Sequence, residues 1–332
     1  MTSPSGQATA QAQPNIALVK YWGKRDDQLN LPAAGSLSIT LDALHTRTTV
    51  RFDDSLAADE VVFNDRRDDL QTRKISAFLD LFRARADTRA HACVETANDF
   101  PTGAGLASSA SGFAALTLAA DRALQLQLPP RELSVLARRG SGSAARSIFG
   151  GFVEMAAGTR DDGKDAFAAT VLDATAWPLN VVVAITSRAV KDTSSRVGMD
   201  DSRRTSPYYR AWIATANADL DAAREAVRTR DFARLADVSE ASCLAMHAVM
   251  LATRPGLVYW NAATIDCIHA IRDLRKQGVA VFFTIDAGPQ IKAVCLPNHV
   301  DAVTAALRDI NGVEQTLVSG LGEGASIIEA DA

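Results

Sequence analysis

The sequence predicts a two-lobed α+β protein, and two observations support this fold class. At 332 residues the chain exceeds the length at which one hydrophobic core usually stops growing, so two lobes are expected. Strand-like and helix-like segments follow one another without the strict alternation that a doubly wound parallel sheet requires. We place the boundary near Thr175–Pro178, with an N-terminal lobe over 1–178 and a C-terminal lobe over 179–332.

The first half combines alternating or β-branched stretches with stretches of helical apolar spacing. The predicted strands are Asn15–Lys20, Ser36–Asp42, Thr46–Phe52, His91–Thr96 and the segment GGFVEMA, and the predicted helices are Asp69–Ala84, an Ala/Leu-rich helix after residue 107, and Pro130–Arg139. A polar turn is expected at Lys24–Asn30, and the small polar residues up to Gly6 are expected to fray.

The second half contains three long stretches with helical periodicity between short apolar strands. The predicted strands are Leu179–Thr186, Val279–Asp286, QIKAVCL and Gln315–Ser319, and the predicted helices are Tyr208–Thr229, Phe232–Leu251, Ala262–Gln277 and Val300–Arg308. The segment KDTSSRVGMDDSRR is expected to be a polar loop.

Composition excludes several classes of function. A net charge of −4 argues against a nucleic-acid binder, which needs a basic face to displace counterions, although a local cationic pocket for a small polyanion remains compatible. The four cysteines contain no C-x-x-C pair, and the five histidines have no metal-ligand spacing. The N-terminus resembles no signal peptide, and no apolar run reaches membrane-spanning length. We therefore expect no membrane contact and a reducing, cytoplasmic location.

A Gly/Ser loop opens the Ala/Leu-rich helix. Pro101–Ala110 reads PTGAGLASSA, in which glycines allow close approach of a ligand and unpaired helix amides favour an anion. The hydroxyls of Ser108 and Ser109 can reach phosphate or magnesium. The alternative is a loop whose serine only caps the helix. The segment is neither a Walker A loop nor a dinucleotide-binding fingerprint.

Three further segments concentrate polar groups that can bind anions. Lys20–Arg25 (KYWGKR) is cationic and aromatic, Gly140–Ser147 (GSGSAARS) carries Arg146, and Lys191–Arg196 (KDTSSR) is rich in hydroxyls. Arg146 can bind a carboxylate through two parallel hydrogen bonds, which a lysine cannot do. Lys20–Arg25 could instead be a solvated turn with Trp22 in the core. Gly140–Ser147 could be a second flexible loop, and Lys191–Arg196 a flexible linker.

Asp286 ends a very apolar strand and enters the tight turn of Thr284–Pro289 (TIDAGP). Such a carboxylate can act as a general base if a nearby lysine or arginine keeps it ionised. An aspartate before Gly-Pro is, however, often only a turn former, and spacing alone favours that interpretation.

Taken together, these segments resemble the diphosphomevalonate decarboxylase family of the GHMP kinase superfamily. The resemblance rests on Asn15–Asp42, Pro101–Leu116, Arg138–Met155, Lys191–Met199 and Thr284–Pro289, which occur in the family's order. KYWGKRD and GSGSAxRS are its specific motifs, whereas PxxxGLxSSA marks only the superfamily. Gln290 departs from the pattern, because the family often has asparagine there.

The resemblance implies a ribosomal protein S5 domain 2-like N-terminal lobe and a ferredoxin-like C-terminal lobe. It also implies that ATP and (R)-5-diphosphomevalonate are converted to isopentenyl diphosphate, ADP, phosphate and carbon dioxide, with Mg²⁺ required and homodimers usual. The alternatives are an enzyme that acts on 5-phosphomevalonate or mevalonate, as a decarboxylase or a 3-kinase, and a non-catalytic binding protein of the same fold.

Residue roles follow from the resemblance position by position. Asp286 would deprotonate the 3-hydroxyl, Lys20 would lower the pKa of that carboxyl, and Arg146 would bind the substrate carboxylate. The remaining substrate-binding positions would be Asn15, Tyr21, Trp22, Gly23, Lys24, Arg73, Ser141, Gly142, Ser143, Ala144, Ala145, Ser195 and Arg196. The ATP loop would comprise Gly103, Ala104, Gly105, Leu106, Ala107, Ser108 and Ser109, with Ser109 near the metal.

Overall fold

The computed structural model describes residues 6–100, 108–189 and 191–330. Its helices are α1 Asp69–Ala86, α2 Ser108–Ala123, α3 Pro130–Gly140, α4 Ala144–Ser147, α5 Ser195–Thr205, α6 Tyr209–Thr229, α7 Phe232–Leu251, α8 Ala262–Lys276 and α9 Val300–Arg308. Its strands are β1 Gln7–Ala12, β2 Asn15–Val19, β3 Lys24–Asp26, β4 Leu31–Pro32, β5 Ser36–Thr40, β6 Thr46–Asp53, β7 Glu60–Phe63, β8 His91–Asn98, β9 Phe152–Met155, β10 Ala168–Leu172, β11 Asn180–Ile185, β12 Val281–Ile285, β13 Ile291–Cys295, β14 Gln315–Ser319 and β15 Ser326–Ala330.

The strands form separate, mainly antiparallel sheets. Two sheets belong chiefly to the first half, with orders β15-β1-β6-β8-β7 and β10-β9-β5-β2, and the sheet β12-β13-β11-β14 belongs to the second half. Only β7 and β8 pair in parallel among the strand pairs of the described ranges. The predicted α+β class is confirmed.

The last strand returns to the first half of the chain. β15 pairs with β1, with Ala8 opposite Ala330 and Thr9 opposite Glu329. The predicted boundary near residue 178 remains a prediction, but the tail of the segment 179–332 contributes a strand to the N-terminal sheet.

A shared core joins the two halves. Ile16 and Leu18 of β2 pack in one buried cluster with Val181 and Val183 of β11 and with Phe282 of β12. The hydrophobic effect therefore fixes β2 against the C-terminal sheet, because separating the halves would expose this cluster to water. The segments that follow β2, β11 and β12 consequently begin side by side.

Several local predictions need correction. The predicted loop KDTSSRVGMDDSRR contains α5, whose N-cap is the Ser194 side chain accepting a hydrogen bond from the Val197 amide. GSGSAARS contains the short helix α4, and the predicted turn Lys24–Asn30 begins with β3, which forms a hairpin with β4 directly after the turn. None of the helices within the described ranges is long and apolar enough to cross a membrane.

Candidate active site

A cavity of about 490 Å³ lies where the segments after β2, β11 and β12 meet α1, α2, α4 and α5. The predicted site residues that line it are Asn15, Lys20, Tyr21, Trp22, Lys24, Ser108, Ser109, Ser141, Gly142, Ser143, Arg146, Ser195, Arg196 and Asp286. Residues separated by up to 271 positions in the chain, from Asn15 to Asp286, are therefore brought to one cavity.

Asp286 occupies the centre of the charged groups. It follows β12 directly, and its Oδ1 accepts a hydrogen bond from Lys20 Nζ at 2.8 Å. Lys292 Nζ lies 3.4 Å from Oδ2 of the same carboxylate. Lys20 also donates to the backbone carbonyl of Ala17 at 2.8 Å, and Thr284 Oγ1 donates to that carbonyl at 3.0 Å. These hydrogen bonds connect the C-terminal end of β2 to the C-terminal end of β12.

The two lysines determine the ionisation of this carboxyl. Burial alone would raise the pKa of Asp286, but the charges of Lys20 and then Lys292 outweigh it and lower that pKa to about 2. The carboxylate is therefore ionised at neutral pH. Its side chain retains 24% of its exposure, and the residue lines the cavity.

Arg146 is a buried cation whose hydrogen-bond acceptors among the described residues are all neutral. Its Nε donates to Asn15 Oδ1 at 3.2 Å and to Ser38 Oγ at 3.0 Å, and one terminal nitrogen donates to Ser36 Oγ at 2.5 Å. Burial lowers its pKa to about 10, and the negative charge of Asp286 opposes this only in part. Because a desolvated cation costs free energy unless it is paired, this arrangement favours an anionic ligand.

Asn15 is fixed from its other end. Its Nδ2 donates to the Ser147 hydroxyl at 2.8 Å and to the Ser143 carbonyl at 3.0 Å. These bonds, together with the one from Arg146, orient its amide and connect β2 to α4.

The segment after Lys20 surrounds the cavity with aromatic side chains. Trp22 is buried, and its Nε1 donates to Ser202 Oγ at 3.0 Å, so it packs against α5 rather than only filling the core. The Tyr21 hydroxyl is buried without a hydrogen-bond partner in the described part of the chain. Burial raises the pKa of Tyr21, so the phenol is a neutral donor available to a ligand.

The two helices that begin at the cavity add to its positive potential. α5 begins at Ser195 and α2 at Ser108, and both residues line the cavity. Helix N-termini favour anions because their first amides lack intrahelical partners. Ser109 Oγ lies 3.2 Å from Ser141 Oγ, which brings the start of α2 to the GSGSAARS segment.

A second cavity of about 160 Å³ adjoins the first. The two share Gln71, Lys74, Ser108 and Ser109, and the second is otherwise lined mainly by apolar side chains, among them Phe63, Ile75, Val94, Phe113 and Leu116. The predicted loop residues Gly103–Ala107 lie outside the described residues. Ser108 and Ser109, which follow these loop residues directly, therefore line both the charged first cavity and the mainly apolar second cavity.

Four predicted binding positions do not line the cavity. Arg73 is exposed on α1, and its neighbours Gln71 and Lys74 line the cavity instead, because successive residues of a helix point in different directions. Ala144 and Ala145 are fully buried in α4 behind the lining. Gly23 has a φ of +114° and faces the Tyr209 side chain, so its role here is conformational.

The sequence interpretation missed three lysines. Lys191 was part of a predicted hydroxyl-rich clamp but received no role; its Nζ donates to Ser195 Oγ at 2.8 Å and to the Ala287 carbonyl at 3.0 Å. Lys74 could have been found from its position one residue after Arg73 on a predicted helix. Lys292 gave no signal, because a lysine within an apolar strand is typical of an exposed edge.

Charge is distributed very unevenly around the cavity. Its cationic lining residues are Lys20, Lys24, Lys74, Arg146, Lys191 and Arg196. Asp286 is the one acidic residue among the described lining residues. A single ionised carboxylate within a ring of cations suits a substrate with several negative charges and one hydroxyl to be activated. The fold and this site define a two-lobed α+β enzyme that acts on a polyanionic substrate.

Comparison with known proteins identifies the family. Residues 12–168 match the model of the diphosphomevalonate decarboxylase-like N-terminal domain, and residues 181–325 match that of the mevalonate 5-diphosphate decarboxylase C-terminal domain. The diphosphomevalonate decarboxylase of Candida albicans is 38% identical over 297 residues, covering 85% of this chain and 82% of the relative. That of Homo sapiens is 37% identical, covering 92% and 80%.

Solved structures agree in fold as well as in sequence. The mevalonate diphosphate decarboxylase of Staphylococcus aureus has a TM-score of 0.92 at 36% identity, covering 97% of this chain and 98% of that one. A solved complex of MDDEF with MVAPP, AMPPCP and magnesium has a TM-score of 0.90 at 40% identity, covering 97% and 99%. The chain belongs to the diphosphomevalonate decarboxylase family, as the resemblance predicted, and the family's fold is confirmed.

Proposed function

We propose that this protein catalyses the ATP-dependent decarboxylation of (R)-5-diphosphomevalonate to isopentenyl diphosphate, with release of ADP, phosphate and carbon dioxide. The observation that carries the proposal is the cavity whose described lining combines six cationic side chains with one acidic group, the ionised carboxylate of Asp286. Family membership and the MVAPP complex of a relative support the choice of substrate.

The substrate carboxylate is assigned to Arg146 and Asn15. Arg146 is buried among neutral oxygens, so a carboxylate would supply the counter-charge that the described residues do not place in contact with it. The diphosphate is assigned to a second group of donors in the cavity lining, which comprises Tyr21, Lys24, Ser195 and Arg196. Two anionic ends held apart in this way would orient the 3-hydroxyl between them.

Asp286 is assigned to the 3-hydroxyl. A carboxylate with a pKa of about 2 is a weak base, so in the free protein it is suited to accepting a hydrogen bond rather than to removing a proton. Binding of a polyanion offsets the positive charge of Lys20 and its neighbours and thereby raises the pKa of Asp286. The carboxylate can then take the hydroxyl proton as the phosphoryl group is transferred to that oxygen.

The nucleotide is assigned to the start of α2 and the cavity beside it. The apolar walls of the second cavity suit an adenine ring, and Ser108, Ser109 and Lys74 lie between it and the substrate cavity. Gly103–Ala107 remain predicted phosphate-binding residues. Ser109 together with nucleotide phosphates would hold Mg²⁺, because this hydroxyl lies between the two cavities and Mg²⁺ prefers oxygen ligands, among them substrate phosphates. Bound Mg²⁺ neutralises phosphate charge.

The same fixed charges serve the second half of the reaction. Phosphorylation converts the tertiary hydroxyl into a leaving group, and departure of phosphate leaves positive character at C3. Carbon dioxide then leaves with the carboxylate carbon, and its bonding electrons form the double bond of the product. Lys20 and the neighbouring cations stabilise the departing phosphate.

A coupled assay tests the proposal. ADP release and trapped carbon dioxide are measured with mevalonate, its 5-phosphate and its 5-diphosphate. The proposal expects stoichiometric ADP and carbon dioxide from the 5-diphosphate. Preference for the 5-phosphate would indicate a sister decarboxylase, ADP without carbon dioxide a 3-kinase, and no turnover with measurable ligand binding a non-catalytic protein.

Assembly and location complete the proposal. We propose a homodimer, as membership of the family implies, and a cytoplasmic location, where a polar substrate and ATP would be available. Light scattering coupled to size exclusion would give the mass of the assembly, and a monomer at assay concentration would contradict this part alone.

A further inference from the structure

Lys292 is a charged residue in a position that an apolar side chain would normally occupy. It lies in the middle of β13, and its side chain is completely buried. Lysine is rarely fully buried without a partner, because removing an ammonium group from water is unfavourable. The burial of Lys292 therefore indicates that its charge interacts favourably with another group.

The strand geometry directs Lys292 toward the boundary between the two halves. Successive side chains of a strand point to opposite faces, and Ile291 and Ala293 pack in the core of the C-terminal sheet. Lys292 consequently shares the other face with Val294, which belongs to the core that includes β2. Its partner on β12 is Thr284, two residues before Asp286.

Each oxygen of the Asp286 carboxylate has its own lysine. Lys20 Nζ lies 2.8 Å from Oδ1, and Lys292 Nζ lies 3.4 Å from Oδ2. The two lysines differ in access to the ligand space, because Lys20 lines the cavity whereas Lys292 is not among its lining residues. Lys292 therefore contacts the Asp286 carboxylate without lining the space that a ligand would occupy.

We propose that Lys292 is a positioning residue that fixes the plane of the Asp286 carboxylate and keeps it ionised. Lys20 is then free to change its contacts as the phosphoryl group arrives, since the second ammonium still holds the carboxylate in place. The role of Asp286 toward the hydroxyl rests on the proposed function, but the electrostatic relationship between Lys292 and Asp286 does not.

The other titratable groups around Asp286 do not replace this interaction. Lys191 and Arg146 face the carboxylate across the cavity without forming a salt bridge to it in the described part of the chain. On α7, burial lowers the pKa of His247 to about 3 and raises the pKa of the Cys243 thiol, so both are neutral at pH 7. Lys20 and Lys292 are the direct cationic contacts.

A titration that requires no turnover tests the proposal. The carboxyl ¹³C signal of Asp286, assigned by its loss in Asp286→Asn, is followed against pH in Lys20→Met and in Lys20→Met/Lys292→Met. Removing Lys292 is expected to raise the pKa of Asp286 by at least about one unit, since a cation at this range shifts a carboxyl pKa by roughly 1–3 units. Identical titration curves would overturn the proposal. Because the free protein is observed, this outcome is independent of the reaction catalysed.

Kinetics provides a second test on the single variant Lys292→Met, which also decides the matter if the double variant does not fold. We expect the acidic limb of kcat, which reports the substrate-bound enzyme in which the pKa of Asp286 is raised, to move to higher pH by about one unit or more. KM at neutral pH should change less than about threefold. The matched control is Lys276→Met, which removes an exposed lysine that contacts Asp273. An acidic limb that coincides with wild type would mean that Lys292 only fills space.

Discussion

Lys20 Nζ lies 2.8 Å from Asp286 Oδ1, although 266 positions separate the two residues in the chain. The contact exists because β2 of the first half packs beside β12 in a core shared by both halves. Burial alone would raise the pKa of the aspartate and would leave the lysine as an uncompensated cation. Folding brings the two charges together, so the carboxylate stays ionised although it is buried.

Arg196→Ala is expected to raise KM for diphosphomevalonate by roughly tenfold or more with little change in kcat. Arg196 lines the cavity at the start of α5, where it is assigned to the diphosphate and not to the reacting hydroxyl. Because this contact is equally strong in the ground state and the transition state, its loss should weaken substrate binding without slowing the chemical step. Steady-state kinetics measures both constants. Arg204→Ala, which removes an arginine paired with Asp200 and Asp201 on the same helix, is the control. An unchanged KM with a large loss in kcat would contradict this assignment.

Ser109→Ala is expected to impair the ATP-dependent steps while diphosphomevalonate still binds within about threefold of normal affinity. The hydroxyl lies at the start of α2, between the two cavities, where it can reach metal or phosphate. Calorimetry with substrate and with Mg-nucleotide separates the two effects. Lost substrate affinity with normal nucleotide binding would rule out the nucleotide role.

Arg146→Met is expected to weaken substrate binding by at least about 30-fold, because a buried charged hydrogen-bond pair typically contributes ~2–5 kcal/mol when one partner is removed. The free energy of unfolding should change much less, since burial already disfavours this cation and methionine retains its volume. Chemical denaturation and calorimetry on one preparation give both quantities. If Arg146→Met reduced the free energy of unfolding as much as the free energy of substrate binding, Arg146 would have a structural role and not a substrate-binding one.

Segments with clear apolar periodicity could be predicted from the sequence, both helices and the strands from β11 to β14, whereas several short strands could not. Phe232–Leu251 and Val300–Arg308 have the predicted bounds, because their apolar spacing is a local property. β10 and β15 are short and rich in small or polar residues, and their pairing with β9 and β1 depends on distant segments. α5 was not predicted because its residues are mostly polar and lack a continuous apolar face. The Ser194 side chain stabilises the helix by capping its N-terminus.

The site shows the same division between local and distant information. Family motifs indicated Arg146 and Asp286, and the structure brings both to one cavity. Gln290, a departure from the family pattern, is buried and accepts from the Thr186 amide at 2.7 Å while donating to the Ser187 carbonyl at 2.5 Å. It thereby ties the turn after Asp286 to the end of β11, a contact that no local pattern predicts.

Asp286→Asn is expected to be less stable than wild type at neutral pH and to regain stability as the pH rises. The substitution leaves the Lys20 and Lys292 ammonium groups without their carboxylate. Burial already lowers the pKa of Lys292, and without the opposing charge of Asp286 that pKa falls further. Below the unfolded pKa of lysine, about 10.4, the unfolded state then binds more protons, so stability increases with pH until both states are neutral. The melting temperatures of Asp286→Asn and wild type between pH 7 and 10 measure this pH dependence. If the difference between the two melting temperatures stayed constant over that range, the prediction would be contradicted.

The same variant tests the chemistry, provided that it is assayed well below its melting temperature. Asparagine keeps the shape and much of the hydrogen bonding of Asp286 but cannot accept the hydroxyl proton. Turnover should therefore fall by at least the ~10²–10⁴-fold that loss of a general base typically causes. Substrate and ATP should bind within about tenfold of normal, because their anionic groups contact other residues.

Intermediates distinguish this role from a purely conformational one. If proton acceptance accompanies phosphoryl transfer, neither a phosphorylated intermediate nor carbon dioxide should accumulate in Asp286→Asn, and rapid quench with labelled ATP would detect either. If the residue only shaped the turn, asparagine would serve nearly as well, since it also favours turns. Near-normal release of carbon dioxide by the folded variant would then remove Asp286 from the mechanism. The effect of Lys292 on the carboxyl pKa would remain measurable, because it is a property of the free protein.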